Sequence, residues 1–370
     1  MAKIREFLKR KNIVFTLQRY GIDALGAMAQ GLFCTLLVGT ILNTLGQQLN
    51  IGFLNEAIVT IKDATGANQI SYTIGGLASA MVGPGIAIAI GFALKCPPLV
   101  LFSLIPVGFA ANAMGGAGGP LAVYVIAIIA SECGKLVSKE TKIDILVTPI
   151  VTILTGIGAA SLIAAPIGTA ASAVGTAVRW ATVQQPFLMG ILVSALVGIA
   201  LTLPISSAAI CAALTLTGLA GGAAVAGCCA QMVGFAVMSF RENRWGGLVA
   251  QGVGTSMLQM PNIVKNPRIW IPPTLASMIT GPIATCIFKL EMNGAPVSSG
   301  MGTCGFVGQI GVYTGWISDI VAGTKAAITP MDWIGLVLVC FVLPAVLSFI
   351  FCQILRKWGW IKENDLKLDR

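Results

Sequence analysis

"LTLTGLAGGAAVAGCCAQMVGFAVM", residues 214–238, contains no charged residue, and glycine, alanine and cysteine fill much of it. A helix that is apolar all round is either buried in a large core or placed in a membrane. Its small residues let neighbouring helices come close, which matters where lipid gives helices little hydrophobic reason to associate. The stretch therefore reads as a helix packed on all sides by protein. Gly221 and Gly222 also resemble part of a phosphate-cradling loop, but no P-loop lysine with serine or threonine follows. Nucleotide binding is set aside on that ground.

The whole chain supports the membrane reading. Its 370 residues have a mean hydropathy of +0.88, with 56% hydrophobic and only 10% charged residues. A soluble domain carries about a quarter charged residues. Apolar stretches occur at 22–45, 73–94, 98–112, 119–131, 143–165, 187–203, 205–238, 273–289, 303–321 and 333–355. About 20 such residues span a bilayer. The expected fold is an all-α polytopic membrane protein of about eight to ten transmembrane helices plus re-entrant hairpins. The segment 48–72 carries Glu56, Lys62, Asp63, Asn68 and Gln69 and is expected to be an outside loop or surface helix.

Six of the 23 basic residues lie in residues 1–19 and five in 356–370. That is the positive-inside pattern with both termini cytoplasmic, and it excludes a nucleic-acid-binding patch as the reason for the net charge of +9. Residues 1–20 read as a basic amphipathic helix on the membrane surface, 21–356 as one transport domain, and 357–370 as a cytoplasmic tail. Asp23 is placed to cap the first span. The ten cysteines include no C-x-x-C pair and mostly sit in apolar runs as small hydrophobes. Histidine is absent, which removes His-based metal sites, Ser-His-Asp chemistry and any phosphohistidine on this chain. No metal and no cofactor are expected.

Polar, glycine-broken sequence at membrane depth is tolerated only where protein buries it or where it lines a cavity. Three stretches have that character: "ANAMGGAGGP" (111–120), the polar run 244–273, and "EMNGAPVSSGMGTCG" (291–305). In the third, Gly300, Gly302 and Gly305 allow a tight turn, and Ser298, Ser299 and Thr303 offer hydroxyls. Glu291 and Asn293 end the preceding apolar segment. An ionisable residue in a membrane costs about 3 kcal/mol on insertion scales and is a functional candidate by default. One reading is a polar re-entrant tip that binds a hydroxyl-rich solute; the other is an ordinary outer loop with Glu291 in water. From the first two stretches Asn112 and Gln259 join as candidate ligands, and Gly115 and Gly118 as turn residues. Met-Gly-x-x-Gly occurs at both 114–118 and 301–305, the pattern that an internal repeat or chance would leave. Glu132 is taken to mark a span end.

"DALGAMAQGLFCTLLVGTILNTLG" (23–46), "DILVTPIVTILTGIGAASLIAAPIG" (144–168) and the block from "GTSMLQMPNIVKNPRIWIPPTLASMITGPIAT" (254–285) to "GMGTCGFVGQIG" (300–311) carry a family resemblance. They are similar to the enzyme IIC membrane proteins of the bacterial sugar phosphotransferase system, within them to the stand-alone subfamily that includes the perfringolysin regulator-like proteins. The resemblance implies a multi-pass protein of the bacterial cytoplasmic membrane, homodimeric, translocating a sugar or other small polar solute by alternating access. Separate cytoplasmic IIA and IIB proteins would relay phosphate. It also implies that the polar residues of 291–309 are the substrate site. Glu291 would orient sugar hydroxyls or act as base, Asn293 and Ser298 would fix orientation, and Gln309 would contribute from the following helix. The chain departs from the pattern in lacking the histidine that often accompanies the glutamate. Two alternatives therefore stand beside the permease: an ion-coupled transporter with Glu291 as proton carrier, and a solute-sensing membrane regulator.

Overall fold

The computed structural model describes residues 2–48, 51–62 and 69–368. It falls into two compact units, Met1–Gly168 and Thr169–Arg370, and the boundary lies inside the long helix Asp144–Thr182. Five helical stretches among the described residues are long and apolar enough to cross a membrane, or six if the bent pair Ile74–Ala80 and Val82–Ala93 is one span. The protein is thus an all-α polytopic membrane protein. One of the five, Pro98–Val137, is itself a hairpin of the helices Pro98–Gly115 and Gly119–Val137 folded at Gly116–Gly118. A Cβ on Gly134, near the end of one arm, would meet Val100 at the start of the other at 2.9 Å, so the arms run antiparallel.

In the first unit the opening helix covers Ala2–Arg10 alone, shorter than the expected 1–20. Asn12 takes a left-handed φ of 54° and ends it, and a π-helical turn, Gln18–Asp23, begins the next. Asp23 is itself helical and caps nothing; its carboxylate accepts from Gln18 Nε2 at 2.9 Å. That helical stretch runs to Gln47 without a break that an N-cap would serve. Where it is described, the segment after it is not one loop or one surface helix. A short turn Gly52–Asn55 leads to an antiparallel pair, Val59–Lys62 with Gln69–Tyr72, in which Val59 faces Tyr72 and Ile61 faces Ile70. β-Branched and aromatic residues favour such a ladder. Asp63 and Asn68 lie outside the described residues.

Charged groups tie the opening arm to this unit. Arg10 donates to Glu140 at 2.8 Å, and Lys11 pairs with the same carboxylate and with the Ser138 carbonyl. The hydrogen bond from Lys11 leads, with Arg10 beside it, in holding the exposed Glu140 carboxyl below the ordinary glutamate range. A lowered pKa means that this attachment is complete above the ordinary glutamate pKa, near 4.3, and is lost only as pH falls through the lower folded value.

Asp144–Thr182 is 39 residues long, about 58 Å of helix against a hydrocarbon core of about 30 Å. It continues past 165 through Pro166, where the sequence suggests an end. Ile145, Leu146, Ile150, Leu154 and Leu162 are exposed along it, as a lipid-facing helix requires.

The second unit is built round Gly218–Met238, whose apolar window is 89% buried. Packing on all sides follows from its small residues. A Cβ on Gly198 would stand 2.7 Å from the Gly227 carbonyl, and one on Gly227 would overlap the backbone of Ser194, so Pro186–Thr202 meets it backbone to backbone. The expected run 205–238 breaks into Ser207–Ala213 and Gly218–Met238, with Thr215 at a left-handed φ of 48° between them. On the face toward Val225 and Cys229, a core forms with Leu290, Met292, Val312, Trp316 and Val339.

The described part of the expected tail, through residue 368, is packed and not trailing. Leu366 is fully buried, and its carbonyl accepts from Asn243 Nδ2 at 2.8 Å and Gln259 Nε2 at 3.0 Å. Asn243 Oδ1 in turn accepts from the Leu368 N–H at 2.9 Å. Asn243→Ala removes the hydrogen bonds its side chain makes to residues 366 and 368. The expected result is a loss of about 1–3 kcal/mol in detergent unfolding and faster proteolytic trimming of the C-terminal residues. Unchanged trimming would show that Leu366 holds the segment by apolar packing alone.

Candidate functional site

The stretch 291–305 lies against the N-terminal half of Gly218–Met238, and glycines make that approach possible. Gly218, at a left-handed φ of 65°, and Met292 exchange N–H···O=C bonds of 3.0 Å as an isolated antiparallel bridge. A Cβ on Gly222 would overlap the Leu290 carbonyl, and one on Gly221 would be 3.0 Å from Ser299 Oγ. The paired glycines that look like a nucleotide loop are therefore a bed for this chain segment. Two 3₁₀ turns, Pro296–Gly300 and Cys304–Phe306, then lead into the helix Val307–Val321.

The turn residues act in different ways. Gly302 and Gly305 have φ of 53° and 51°, a region open to glycine at no steric cost. Gly300 instead serves close approach, since a Cβ there would be 2.6 Å from the Ser207 carbonyl, and Ser207 Oγ donates to the Gly300 carbonyl at 2.8 Å. Phe306 is left-handed at 59° without being glycine, an uncommon conformation for a bulky residue. In the 111–120 hairpin tip of the first unit the left-handed residue is Gly116, at φ 52°. Gly115 and Gly118 have φ of −80° and −89°, so the two Met-Gly-x-x-Gly stretches do not share one turn geometry.

The polar side chains divide by what they already hold. Asn293 is fully engaged: its Nδ2 donates to Glu291 Oε2 at 3.1 Å and to Asp319 Oδ2 at 2.9 Å, while its Oδ1 accepts from the Gly218 N–H at 3.0 Å. Ser299 is buried and donates to the Leu216 carbonyl at 2.6 Å. Thr303 is buried, and its hydroxyl has Met232 Sδ, at 3.6 Å, as its one partner among the described residues. Ser298 is buried, and its hydroxyl has no hydrogen bond among the described residues. Gln309 gives its Nε2 to Cys229 Sγ at 3.1 Å and keeps a buried Oε1 without a partner among the described residues. Glu291 is exposed. The free acceptor capacity is thus on Glu291, Asp319 and Gln309 Oε1, and carboxylates accept from ligand hydroxyls.

Two candidates stand apart from this group. Gln259 belongs to the bonds that hold the chain end: its Nε2 also donates to Gln251 Oε1 at 2.8 Å, and its Oε1 accepts from Asn262 at 2.8 Å. Asn112 belongs to the first unit, where it packs across the hairpin tip against Gly83 and Gly119.

Sequence reasoning passed over Asp319, whose place beside Asn293 depends on a fold that brings residues 26 apart together. It also undervalued Glu132, which is buried one turn from the end of its helix. Lys135 Nζ lies 2.7 Å from Glu132 Oε2, Arg19 Nε 3.9 Å from Oε1, and Tyr20 donates to Oε1 at 2.9 Å. The only sequence signal was an acid and a base three apart at the end of an apolar run.

The family model described as "Phosphotransferase system, EIIC" matches residues 22–368. No curated protein matches the chain, and no solved structure does. The match takes in both units, the glycine-bedded segment 291–305 and the packed chain end. The protein therefore belongs to the EIIC family of the phosphotransferase system, as a multi-pass permease component in the bacterial plasma membrane.

Proposed function

We propose that the protein binds and translocates a sugar or other small polar solute, and that residues 291–309, with Asp319 beside them, supply the solute contacts. The observation that carries this reading is the acceptor cluster of Glu291 and Asp319, bridged by the fully engaged Asn293 amide. Asn293 fixes the carboxylate of Glu291 while leaving lone pairs on both acids for solute hydroxyls. Ser298 and the unpaired Gln309 Oε1 add one hydroxyl and one acceptor from the buried side. Alternating access would move this segment together with the helix Gly218–Met238, because the backbone bridge at Gly218 and Met292 links them. Phosphate transfer would rest with separate IIA and IIB proteins, and a homodimer follows the resemblance noted in the sequence.

Glu291→Gln keeps the shape and removes one charge. In a thermal-shift screen of the detergent-purified protein against sugars, sugar alcohols and organic acids, a sugar is expected to stabilise wild type. The variant is expected to bind it about tenfold more weakly, because a hydrogen bond to a charged acceptor is replaced by a weaker one. Equal stabilisation of both proteins would move Glu291 to an ordinary loop position. Uptake that follows pH without a phosphoryl donor would favour the ion-coupled reading, for which the two neighbouring carboxylates offer a proton site. Binding without uptake would favour the regulator.

A further inference from the structure

At one end of the first unit three helices finish near one another: Ala2–Arg10, Val82–Ala93 and Gly119–Val137. Each is followed by a left-handed residue, Asn12, Lys95 and Lys139, at φ 54°, 55° and 61°. These three residues line one cavity of about 400 Å³ together with Arg10, Lys11, Lys135, Ser138 and Glu140. Five cations and one carboxylate therefore face the same space.

Ends of helices present carbonyls and partial negative charge, which lysine and arginine satisfy. Part of the positive charge is used in this way. Lys135 donates to the carbonyls of Asn12 and Leu94, at 3.2 and 3.4 Å, and pairs with Glu132. Lys11 takes the Ser138 carbonyl and shares Glu140 with Arg10. Lys95 and Lys139 remain: both are exposed, and neither side chain has a hydrogen bond or ion pair among the described residues. A second, independent observation is Ser138. It is 4% exposed, lines the cavity, and its buried hydroxyl has no partner among the described residues. Burying a hydroxyl without a partner is unfavourable, so the site is short of one acceptor as well as of negative charge.

We infer that this cleft is an anion site for a phosphate group, held by Lys95 and Lys139 with the Ser138 hydroxyl donating to a phosphate oxygen. A phosphate group meets all three needs, with about two charges as a free phosphate or monoester, one as a phospholipid diester, and acceptor oxygens in either form. It reaches the cleft either as a soluble phosphate or phosphomonoester, or as the headgroup of an anionic phospholipid. The site is independent of residues 291–309 and of the sugar reading.

The test compares the full-length protein with Lys95→Gln/Lys139→Gln and, separately, Ser138→Ala. Binding of inorganic phosphate is measured by calorimetry in detergent, with sodium chloride at matched ionic strength as control. Thermal stability is measured in phosphatidylcholine nanodiscs with and without phosphatidylglycerol. Both lysines are exposed, so the double variant is expected to melt as wild type does without ligand. Saturable phosphate binding, about tenfold weaker in the double variant, supports the inference with a soluble ligand. Stabilisation by phosphatidylglycerol alone, lost in the double variant, supports it with a lipid headgroup. Ser138→Ala is expected to weaken whichever ligand binds. No binding of either probe, or equal binding by wild type and the double variant, overturns it and leaves an acidic protein surface as the partner to seek.

Discussion

Gly302→Val is expected to leave a protein that inserts in the membrane but binds no solute and unfolds well below wild type. Two penalties act at once. A β-branched residue at φ 53° lies in the left-handed region, at a cost of about 1–2 kcal/mol. Its Cβ would also stand 2.6 Å from Cys228 Cβ and 2.8–2.9 Å from the backbone of Cys228 and Cys229. Those atoms belong to a helix in which Cys228 and Cys229 are fully buried and have nowhere to go, so overpacking adds about 1–3 kcal/mol. The Gly302 carbonyl accepts from the Gly308 N–H at 2.9 Å, so the strain passes into the start of Val307–Val321. Gly302→Ala is expected to show a smaller loss of the same kind, because alanine tolerates left-handed backbone better than valine. Thermal unfolding in detergent and solute binding, measured side by side, test this. A valine variant with wild-type stability would mean that residues 291–305 do not pack on Gly218–Met238 as described.

Lys135→Met is expected to cost about 3–5 kcal/mol, since it leaves the buried Glu132 without its closest counter-charge. Arg19 at 3.9 Å and the Tyr20 hydroxyl at 2.9 Å stay with the carboxylate, which places the cost toward the lower end. Lys135 also holds the carbonyls of Asn12 and Leu94, so the loss is expected to loosen Ala2–Arg10 and expose the arm to protease. Lys135→Met/Glu132→Leu removes both charges and is expected to recover much of the stability, as replacement of a whole buried ion pair often does. If the double variant is as unstable as the single one, the cost lies in the two carbonyls and not in the uncompensated carboxylate. Unfolding of the four proteins of this cycle decides between them.

Much of the fold was legible because bilayer spans leave continuous apolar runs, and small residues in 214–238 signal close packing directly. The turn at 302–305 was legible for a similar local reason, since few residues other than glycine adopt that backbone. What escaped were contacts between distant parts of the chain. Glu132 reads as the end of a span until Arg19 and Tyr20 are folded onto it, and Gln259 reads as a solute ligand until Leu366 arrives to take its amide. In the first-unit tip the expected turn residues Gly115 and Gly118 flank the left-handed Gly116, because a run of glycines offers several positions for such a turn and sequence alone does not choose among them. The strand pair at 59–72 was hidden by an all-helical expectation, although Val59, Ile61, Ile70 and Tyr72 carry the propensity for it.

The seat of the chain end bears on how the protein is made. Asn243, Gln259 and Asn262 all leave the ribosome about a hundred residues before the carbonyls of Leu366 and Lys367 that they grip. Until residues 366–367 follow, those three amides lack these carbonyls, although Gln259 can already donate to Gln251 and Asn262 to Gln259, each at 2.8 Å. A chain stopped short of 366 therefore leaves these amides with hydrogen-bonding capacity that residues 366–367 would otherwise satisfy. Closure of this part of the second unit thus waits on residues 366–367, which lie far along the chain from the amides that receive them.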